Sequence, residues 1–231
     1  MAARRADEVI VLSKNMQDYF LETYGRQTRF ISNGIQRPAL YEPKEIREKY
    51  GLEKDGYILF VARIVPEKGL HYLIDAYKKI RTEKRLVIAG GNSHSQSYMD
   101  EVEAMAAEDP RILMTGFVAG RVLEELYSNA CFFVLPSDVE GMAVSLLEAM
   151  SYGNCCLVSD IRENTEVVAE HAAVFRKSDT QDLQKKMEEL LEHPEIRAAY
   201  KEKAADYICG KYNWDDVAEQ TLRLYEDGVT K

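Results

Sequence analysis

Two kinds of apolar spacing alternate along this chain. Short, nearly continuous apolar runs occur at EVIVLS (8–13), TRFIS (28–32), YILFVA (57–62), RLVIAGG (85–91), RILMTG (111–116), CFFVLPS (131–137), CCLVSD (155–160) and AAVF (172–175). Runs of four to seven residues with little polar alternation predict strands covered on both faces, as in a parallel sheet. Between them the apolar residues return every three or four positions. That spacing predicts helices over 14–25 (Met16, Phe20, Tyr24, stopped by Gly25), 43–51 (Pro43 in the first turn, Gly51 at the end), 69–80, 97–108, 122–130 and about 143–152, the last with Gly153 at its C-cap. After residue 175 only helical patterns remain: DTQDLQKKMEELLEH, PEIRAAYKEKAADYICGKY and WDDVAEQTLRLYEDG. The charged residues of 179–206 form their solvated face, and Trp214 anchors the last helix.

Strand and helix in regular alternation imply an α/β domain with a doubly wound parallel sheet and C-terminal helices, its ligand lying at the carboxyl ends of the strands. The first 36 residues are a strand–helix–strand too small to be a domain. They precede NGIQRPALYEP (33–43), where Asn33-Gly34 signals a turn and the composition that of an interdomain connection. The expected organisation is therefore the tail of another domain over 1–36, a nucleotide-binding domain over 37–210, and a final crossover helix over 211–231.

Composition narrows the possible partners. For a chain of 231 residues, a formal net charge of −9 argues in bulk against nucleic acid or an anionic membrane as the main partner, although a local cationic pocket can sit inside an acidic protein. No apolar run approaches the roughly 18–20 residues of a membrane span, and the apolar segment near the start is too short for a signal peptide. Cys131, Cys155, Cys156 and Cys209 lack zinc spacing, and two are adjacent within a strand, so they are expected as reduced core residues of a cytoplasmic protein. His71, His94, His171 and His193 are scattered. Asp138 follows Pro136-Ser137 and is expected to brace its loop rather than pair with Glu140 on a metal.

The chemistry concentrates in the loops after the strands. RIVPEKG puts Arg63 and Lys68 on either side of Pro66, with Gly69 opening the next helix. Two cations beside a helix N-terminus can bind an anion, although paired surface cations would look the same. Gly90-Gly91-Asn92 lets backbone approach a ligand, but glycines also serve plain turns. In EGMAVSLLEAM (140–150), Gly141 frees the backbone before a helix whose first amides offer a second anion site. Glu140 lies at its mouth. Glu148 lies inside the helix, and helical side chains tilt toward the N-terminus, so both acids can face one cleft. Carboxylates beside an anion site are useful for accepting hydrogen bonds from hydroxyls. The combination fits a nucleotide-sugar, with phosphates between two hydroxyl-bearing rings.

These residues resemble a known family. EGMAVSLLEAMSYG is similar to the E-x7-E signature of the retaining glycosyltransferases of family four, which have the two-domain GT-B fold. Further marks of that family occur in order: ISNGI, VARIVPEKG, VIAGG, TGFV, VLPS, SDIRENTEVV and YNWDDVAEQTLRLYE. The resemblance spans essentially the whole chain. It implies that Arg63 and Lys68 hold the donor diphosphate, doing the neutralising work that a metal does elsewhere, and that neither metal nor cofactor is needed. Glu148 would take the ribose hydroxyls and Glu140 the hydroxyls of the transferred sugar. Gly141, Met142, Ala143 and Val144 would lie beside sugar and phosphate, Phe117 and Val118 would border the base, and Gly90 would line the phosphate–ribose path. The implied activity is retaining transfer from a nucleotide-diphosphate-sugar to an acceptor in glycan or glycolipid synthesis. This chain would be the Rossmann-like donor-binding half, without turnover of its own. Its partner would be the N-terminal acceptor domain of the same enzyme, through which any peripheral membrane contact would be made, and residues 1–36 would be that domain's last strand–helix–strand.

Several positions depart from the family pattern. Gly141-Met142-Ala143 stands where Gly-Phe-Gly is usual, and Ala143 should restrict the backbone of the sugar pocket. Asn154 stands where proline is common, Arg162 interrupts a DIPEN-like loop, and Gln36 replaces a frequent aspartate. A regulatory nucleotide-binding module without transfer chemistry remains an alternative. An epimerase on the same architecture would need an acid–base pair that the sequence does not supply.

Overall fold

Alternation within the strands divides the core into two layers. The computed structural model describes residues 5–91 and 95–229, so the expectations placed on Asn92 and His94 lie outside the described residues. The chain opens with β1 (Ile10–Val11), α1 (Lys14–Tyr24), β2 (Arg29–Phe30) and α2 (Glu45–Tyr50). It continues through β3 (Tyr57–Val61), α3 (Leu70–Lys78), β4 (Arg85–Ala89), α4 (Gln96–Ala107), β5 (Ile112–Gly116), α5 (Arg121–Asn129), β6 (Phe132–Leu135), α6 (Val144–Ser151), β7 (Cys156–Ser159), α7 (Arg162–Val168) and β8 (Ala173–Phe175). It closes with α8 (Thr180–Glu192), α9 (Pro194–Lys211) and α10 (Trp214–Val229).

Strands β3 to β8 form one parallel sheet in the order β5-β4-β3-β6-β7-β8. Successive side chains of a strand point to opposite faces. Accordingly Tyr57, Leu59, Val87, Phe133 and Leu135 pack with Ile46 of α2, Leu126 of α5, Leu147 of α6 and Ile208 of α9. Their neighbours Ile58, Phe60, Leu86, Ile88, Phe132 and Val134 pack with Leu73 of α3, Val102 of α4 and Leu183 of α8 on the other face. The expected doubly wound sheet with C-terminal helices is therefore present. The order reverses between β3 and β6, which opens a crevice at their carboxyl ends. Among the described residues no helix is long and apolar enough to cross a membrane, and all four cysteines are free thiols, three of them buried.

The first segment departs from expectation. Its two strands are only two residues long and pair with each other in a separate parallel ribbon. Helix α1 buries no residue fully: Met16 and Phe20 are half-buried and Tyr24 is exposed, so its periodic face meets little core. Asn33-Gly34 makes no turn. Glycine is needed there by contact instead, because a Cβ on Gly34 would lie 2.5 Å from the Trp214 ring. The Ile35 N–H donates to the Tyr212 carbonyl at 2.6 Å, tying the connection to the start of α10. Pro43 precedes α2 rather than lying in its first turn. Helix α7 has no counterpart in the apolar periodicity, since only Val167 and Val168 are buried hydrophobics on it.

A buried carboxylate fastens the connection to the domain. Glu125 of α5 is 2% exposed, and its Oε2 accepts the Lys44 N–H at 2.9 Å and the Ile46 N–H at 3.1 Å. Lys44, at the start of α2, offers no side-chain cap, so Glu125 meets the amides left open at that helix end. The neighbouring Asn129 donates to the Tyr41 carbonyl at 2.9 Å. Glu125→Ala is expected to lower the unfolding free energy by about 1.5–3 kcal/mol, the range for hydrogen bonds to a charged group. Glu125→Gln, which keeps an acceptor oxygen, should lose less. Urea unfolding of the three proteins checks both statements.

Candidate functional site

Backbone contacts bring the loops after four strands to one edge of the sheet. The Gly90 N–H donates to the Gly116 carbonyl at 2.9 Å, and the Ile64 N–H to the Gly91 carbonyl at 3.0 Å. The loops after β3, β4 and β5 thus lie side by side. Gly90 has no room for a side chain, because a Cβ would overlap the Ala62 carbonyl oxygen. Across the crevice, the Asp138 N–H donates to the Glu67 carbonyl at 2.8 Å, joining the loop after β3 to the loop after β6. Gly69 makes the approach possible. Its φ is +65°, and a Cβ would strike the Pro136 carbonyl oxygen. As expected, Gly69 opens the helix: it closes a 3-10 turn over Pro66–Lys68 and is the N-cap of α3, which starts at Leu70.

Asp138 fastens the joined loops from both sides. It accepts from the Tyr72 hydroxyl of α3 at 3.2 Å and from the Ser178 hydroxyl at 2.7 Å. The His71 ring meets Tyr72 at a 49° tilt with ring centres 3.9 Å apart, and its Nδ1 is 2.7 Å from the Tyr98 hydroxyl. His171 stacks on Tyr207, and His193 lies 2.9 Å from a Glu195 carboxylate oxygen. Each of these histidines has a partner close by in the fold.

Lys68 and Glu140 meet within the joined loops. Lys68 Nζ is 2.5 Å from Glu140 Oε1, with side chains 13% and 5% exposed. The same Oε1 accepts from the Ser137 hydroxyl at 2.7 Å. Arg63 is exposed on the rim of the β3 loop. Lys68 is therefore not a solvated surface cation, as the simplest reading of RIVPEKG would have it.

The helix after Glu140 starts one residue later than the sequence pattern indicates. Ala143 is the N-cap of α6, with φ −73° and ψ 104°, a conformation that requires no glycine. No side chain caps this end, and its first turn holds no acid, unlike α8, where Asp179 accepts the Gln181 and Asp182 N–H groups. The α6 N-terminus thus leaves its amides toward the crevice mouth, a partial positive charge. Gly141 and Val144 are exposed there, and Met142 is half-buried, its sulfur 3.3 Å from the Asn33 nitrogen. Gly153 follows the C-cap Tyr152 with φ +75°.

Glu148 lives in a different environment from Glu140. It is half-buried in the second turn of α6, where its Oε2 accepts from the Tyr127 hydroxyl at 2.9 Å. The Tyr127 ring is stacked on Tyr152 at 5.3 Å, which fixes the direction of that hydroxyl. Desolvation holds the Glu148 carboxyl above the usual carboxylate range, opposed by the Tyr127 hydrogen bond. The two glutamates share no hydrogen-bond partner. At the other end of the crevice Phe117 is 80% exposed beside Gly91, whereas Val118 turns inward against the core.

Four site residues went unnoticed in the sequence. Ser137 follows β6 and Ser159 ends β7, Asn164 lies on the unforeseen α7, and Tyr127 lies on α5, outside both motifs. Tyr127 in fact meets Asn154, whose amide donates to the Tyr127 carbonyl at 2.9 Å and to the Ala149 carbonyl at 3.1 Å. The only signal available in the sequence was a serine directly closing each of two apolar runs.

Comparison with known proteins identifies the family and the fold. A family model described as glycosyl transferases group 1 matches residues 42–207. An uncharacterized glycosyltransferase of Methanocaldococcus jannaschii is 27% identical over 234 residues, covering 95% of this chain and 60% of the relative. The α-maltose-1-phosphate synthase of Mycolicibacterium smegmatis is 27% identical over 247 residues, covering 97% and 64%. Among solved structures, Anabaena HepE in complex with UDP and glucose superposes with a TM-score of 0.89 at 20% identity, over 98% of this chain and 65% of that one. The chain thus spans less than two thirds of the length of these relatives.

The raised Glu148 carboxyl has a consequence for stability. Its folded value lies above its unfolded one, so its favourable contribution is complete below the unfolded value and is lost as pH rises through the folded one. Wild type should therefore gain stability relative to Glu148→Gln as pH falls through that window. At neutral pH the variant should be at least as stable as wild type. Urea midpoints of both proteins from neutral to acid pH read the difference.

Proposed function

Because this chain belongs to the glycosyl transferases group 1 family, we propose that its crevice binds a nucleotide-diphosphate-sugar and that the enzyme transfers the sugar to an acceptor. We place the donor-binding unit at residues 37–210, with 1–36 belonging to a neighbouring domain and 211–231 forming the helix that returns along the connection. The observation that carries the reading is the Lys68–Glu140 pair at the joint of the two crevice loops, beside the uncapped start of α6. A cation and open amides suit a diphosphate, and a carboxylate at the same point suits sugar hydroxyls.

In this reading Arg63 and Lys68 hold the diphosphate. Negative charge builds on the leaving phosphate oxygen as the bond to the sugar's anomeric carbon breaks, and fixed cations and amides in a recessed crevice stabilise it most in the transition state. The acceptor oxygen forms the new bond to that carbon and passes its proton to the departing phosphate oxygen, so that the nucleoside diphosphate leaves. Retention of configuration rests on the E-x7-E resemblance. Glu140 contacts the sugar hydroxyls, and Glu148 accepts from the ribose. Phe117 offers the base an exposed apolar face, with Val118 behind it and Gly90 leaving room along the phosphate–ribose path. The description of HepE as a complex with UDP and glucose supports a donor of this class.

Calorimetry with UDP, ADP and GDP and their parent nucleosides tests the assignment. Arg63→Ala should weaken diphosphate binding by about 1.5–3 kcal/mol and leave nucleoside binding unchanged. Lys68→Ala also strands Glu140, so the same loss should be read in Lys68→Ala combined with Glu140→Gln. Glu148→Gln should weaken the diphosphate, whereas Glu140→Gln should leave it unchanged or tighter. In the full-length enzyme Glu140→Gln should lower kcat instead. Wild-type affinity in Glu148→Gln would make Glu148 structural, and a wild-type kcat in Glu140→Gln would make Glu140 structural.

A further inference from the structure

A line of buried hydrogen bonds runs beneath the crevice from α7 to Glu140. Asn164 Nδ2 donates to Ser159 Oγ at 3.0 Å, Ser159 Oγ donates to the Ser137 carbonyl at 2.5 Å, and Ser137 Oγ donates to Glu140 Oε1 at 2.7 Å. Ser137 and Ser159 are completely buried, Asn164 is 1% exposed and Glu140 8%. Buried polar groups cost desolvation, and alanine would fill the same space at the end of β7 or β6. The line ends on a single carboxylate oxygen. Lys68 donates to that same Oε1, while Oε2 has no partner among the described residues. With Oε1 held by two donors, rotation of the carboxylate would break both bonds, so Oε2 keeps one direction. Glu140 lines a cavity of about 430 Å³ with Val139, Arg162 and the Asn15, Met16 and Tyr19 side chains of α1.

We propose that Ser137, held in turn by Ser159 and Asn164, is a positioning residue that fixes Glu140 so that Oε2 alone meets a hydroxyl of the donor sugar. The inference rests on the sugar-facing reading of Glu140. It separates the roles of the two oxygens: Oε1 is committed to the protein and Oε2 to the ligand.

The test compares the affinity of UDP with that of UDP-glucose, with the ADP and ADP-glucose and the GDP and GDP-mannose pairs run alongside, on this chain. Ser137→Ala should leave the nucleoside diphosphate Kd within about twofold. It should cut the extra affinity brought by the sugar by about three- to tenfold, the worth of one hydrogen bond. Ser159→Ala should act in the same direction more weakly, and gives the reading should Ser137→Ala not fold. Ser137→Ala combined with Glu140→Gln should lose no more sugar affinity than Glu140→Gln alone, because both act on one contact. An unchanged sugar contribution in a folded Ser137→Ala, equal losses for diphosphate and nucleotide-sugar, or full additivity in the double variant would overturn the positioning role while leaving the donor site standing. A wild-type chain that binds none of these probes, or gains nothing from the sugar, would overturn the functional reading and the positioning role together.

Discussion

The contact of the β3 loop with the β6 loop holds the candidate site together. Strands β3 and β6 are neighbours in the sheet but distant in sequence, and their loops must leave in ways that keep the crevice defined. Gly69 permits this by a left-handed backbone that lies directly against the Pro136 carbonyl, and the Glu67–Asp138 backbone hydrogen bond fixes the register. Asp138 then gathers Tyr72 from α3 and Ser178 from beyond β8. Only with this scaffold in place do Lys68 and Glu140, 72 residues apart, meet in a poorly exposed position. An ion pair so placed has high stakes, because removing one partner leaves the other charge desolvated.

The two glutamates of EGMAVSLLEAM lie in two different environments. Glu140 is fixed by a cation and a hydroxyl at the base of a loop. Glu148 has a single neutral donor, Tyr127, and a desolvated setting that raises its proton affinity. The first arrangement keeps a charge ready in a fixed direction. The second leaves a carboxylate under-satisfied, so a ligand that brings two hydroxyls relieves a cost already present in the free protein. The uncapped α6 N-terminus lies between the two positions in sequence, where a phosphate would complete what no side chain supplies.

Positions that break the family pattern have local reasons. Asn154 stands in place of proline and donates to two carbonyls, tying the end of α6 to α5 and so to Tyr127. Arg162 pairs with Asp18 of α1 at 2.6 Å and Glu166 at 2.8 Å, and Asn15 donates to Glu163 at 2.6 Å, which fastens the first segment to α7 beside Glu140. Ala143 adopts an ordinary backbone conformation, so the loss of glycine there does not strain the loop. Nothing in the structure explains Gln36.

Periodicity in the sequence determined the sheet and most of the helices, because strands buried on both faces and helices buried on one must show their burial in residue type. The E-x7-E stretch and the cationic loop could be singled out for a different reason: charged residues stand out where they directly follow apolar runs. Short-range patterns could not reveal contacts set by distant chain. Gly34 looked like a turn and is a seat for Trp214; α7 has too few apolar residues to announce itself; nothing in the local sequence marks Glu125 as the acid that caps α2 from within. The hydrogen-bonded line through Asn164, Ser159 and Ser137 belongs to the same class. Three small polar residues at separate strand and helix ends carry no periodic signature, and their bonds exist only once β6, β7 and α7 lie side by side. Residue type fixes which faces are buried, but the pairing of buried polar groups is a property of the packed interior, and only the tertiary structure decided it.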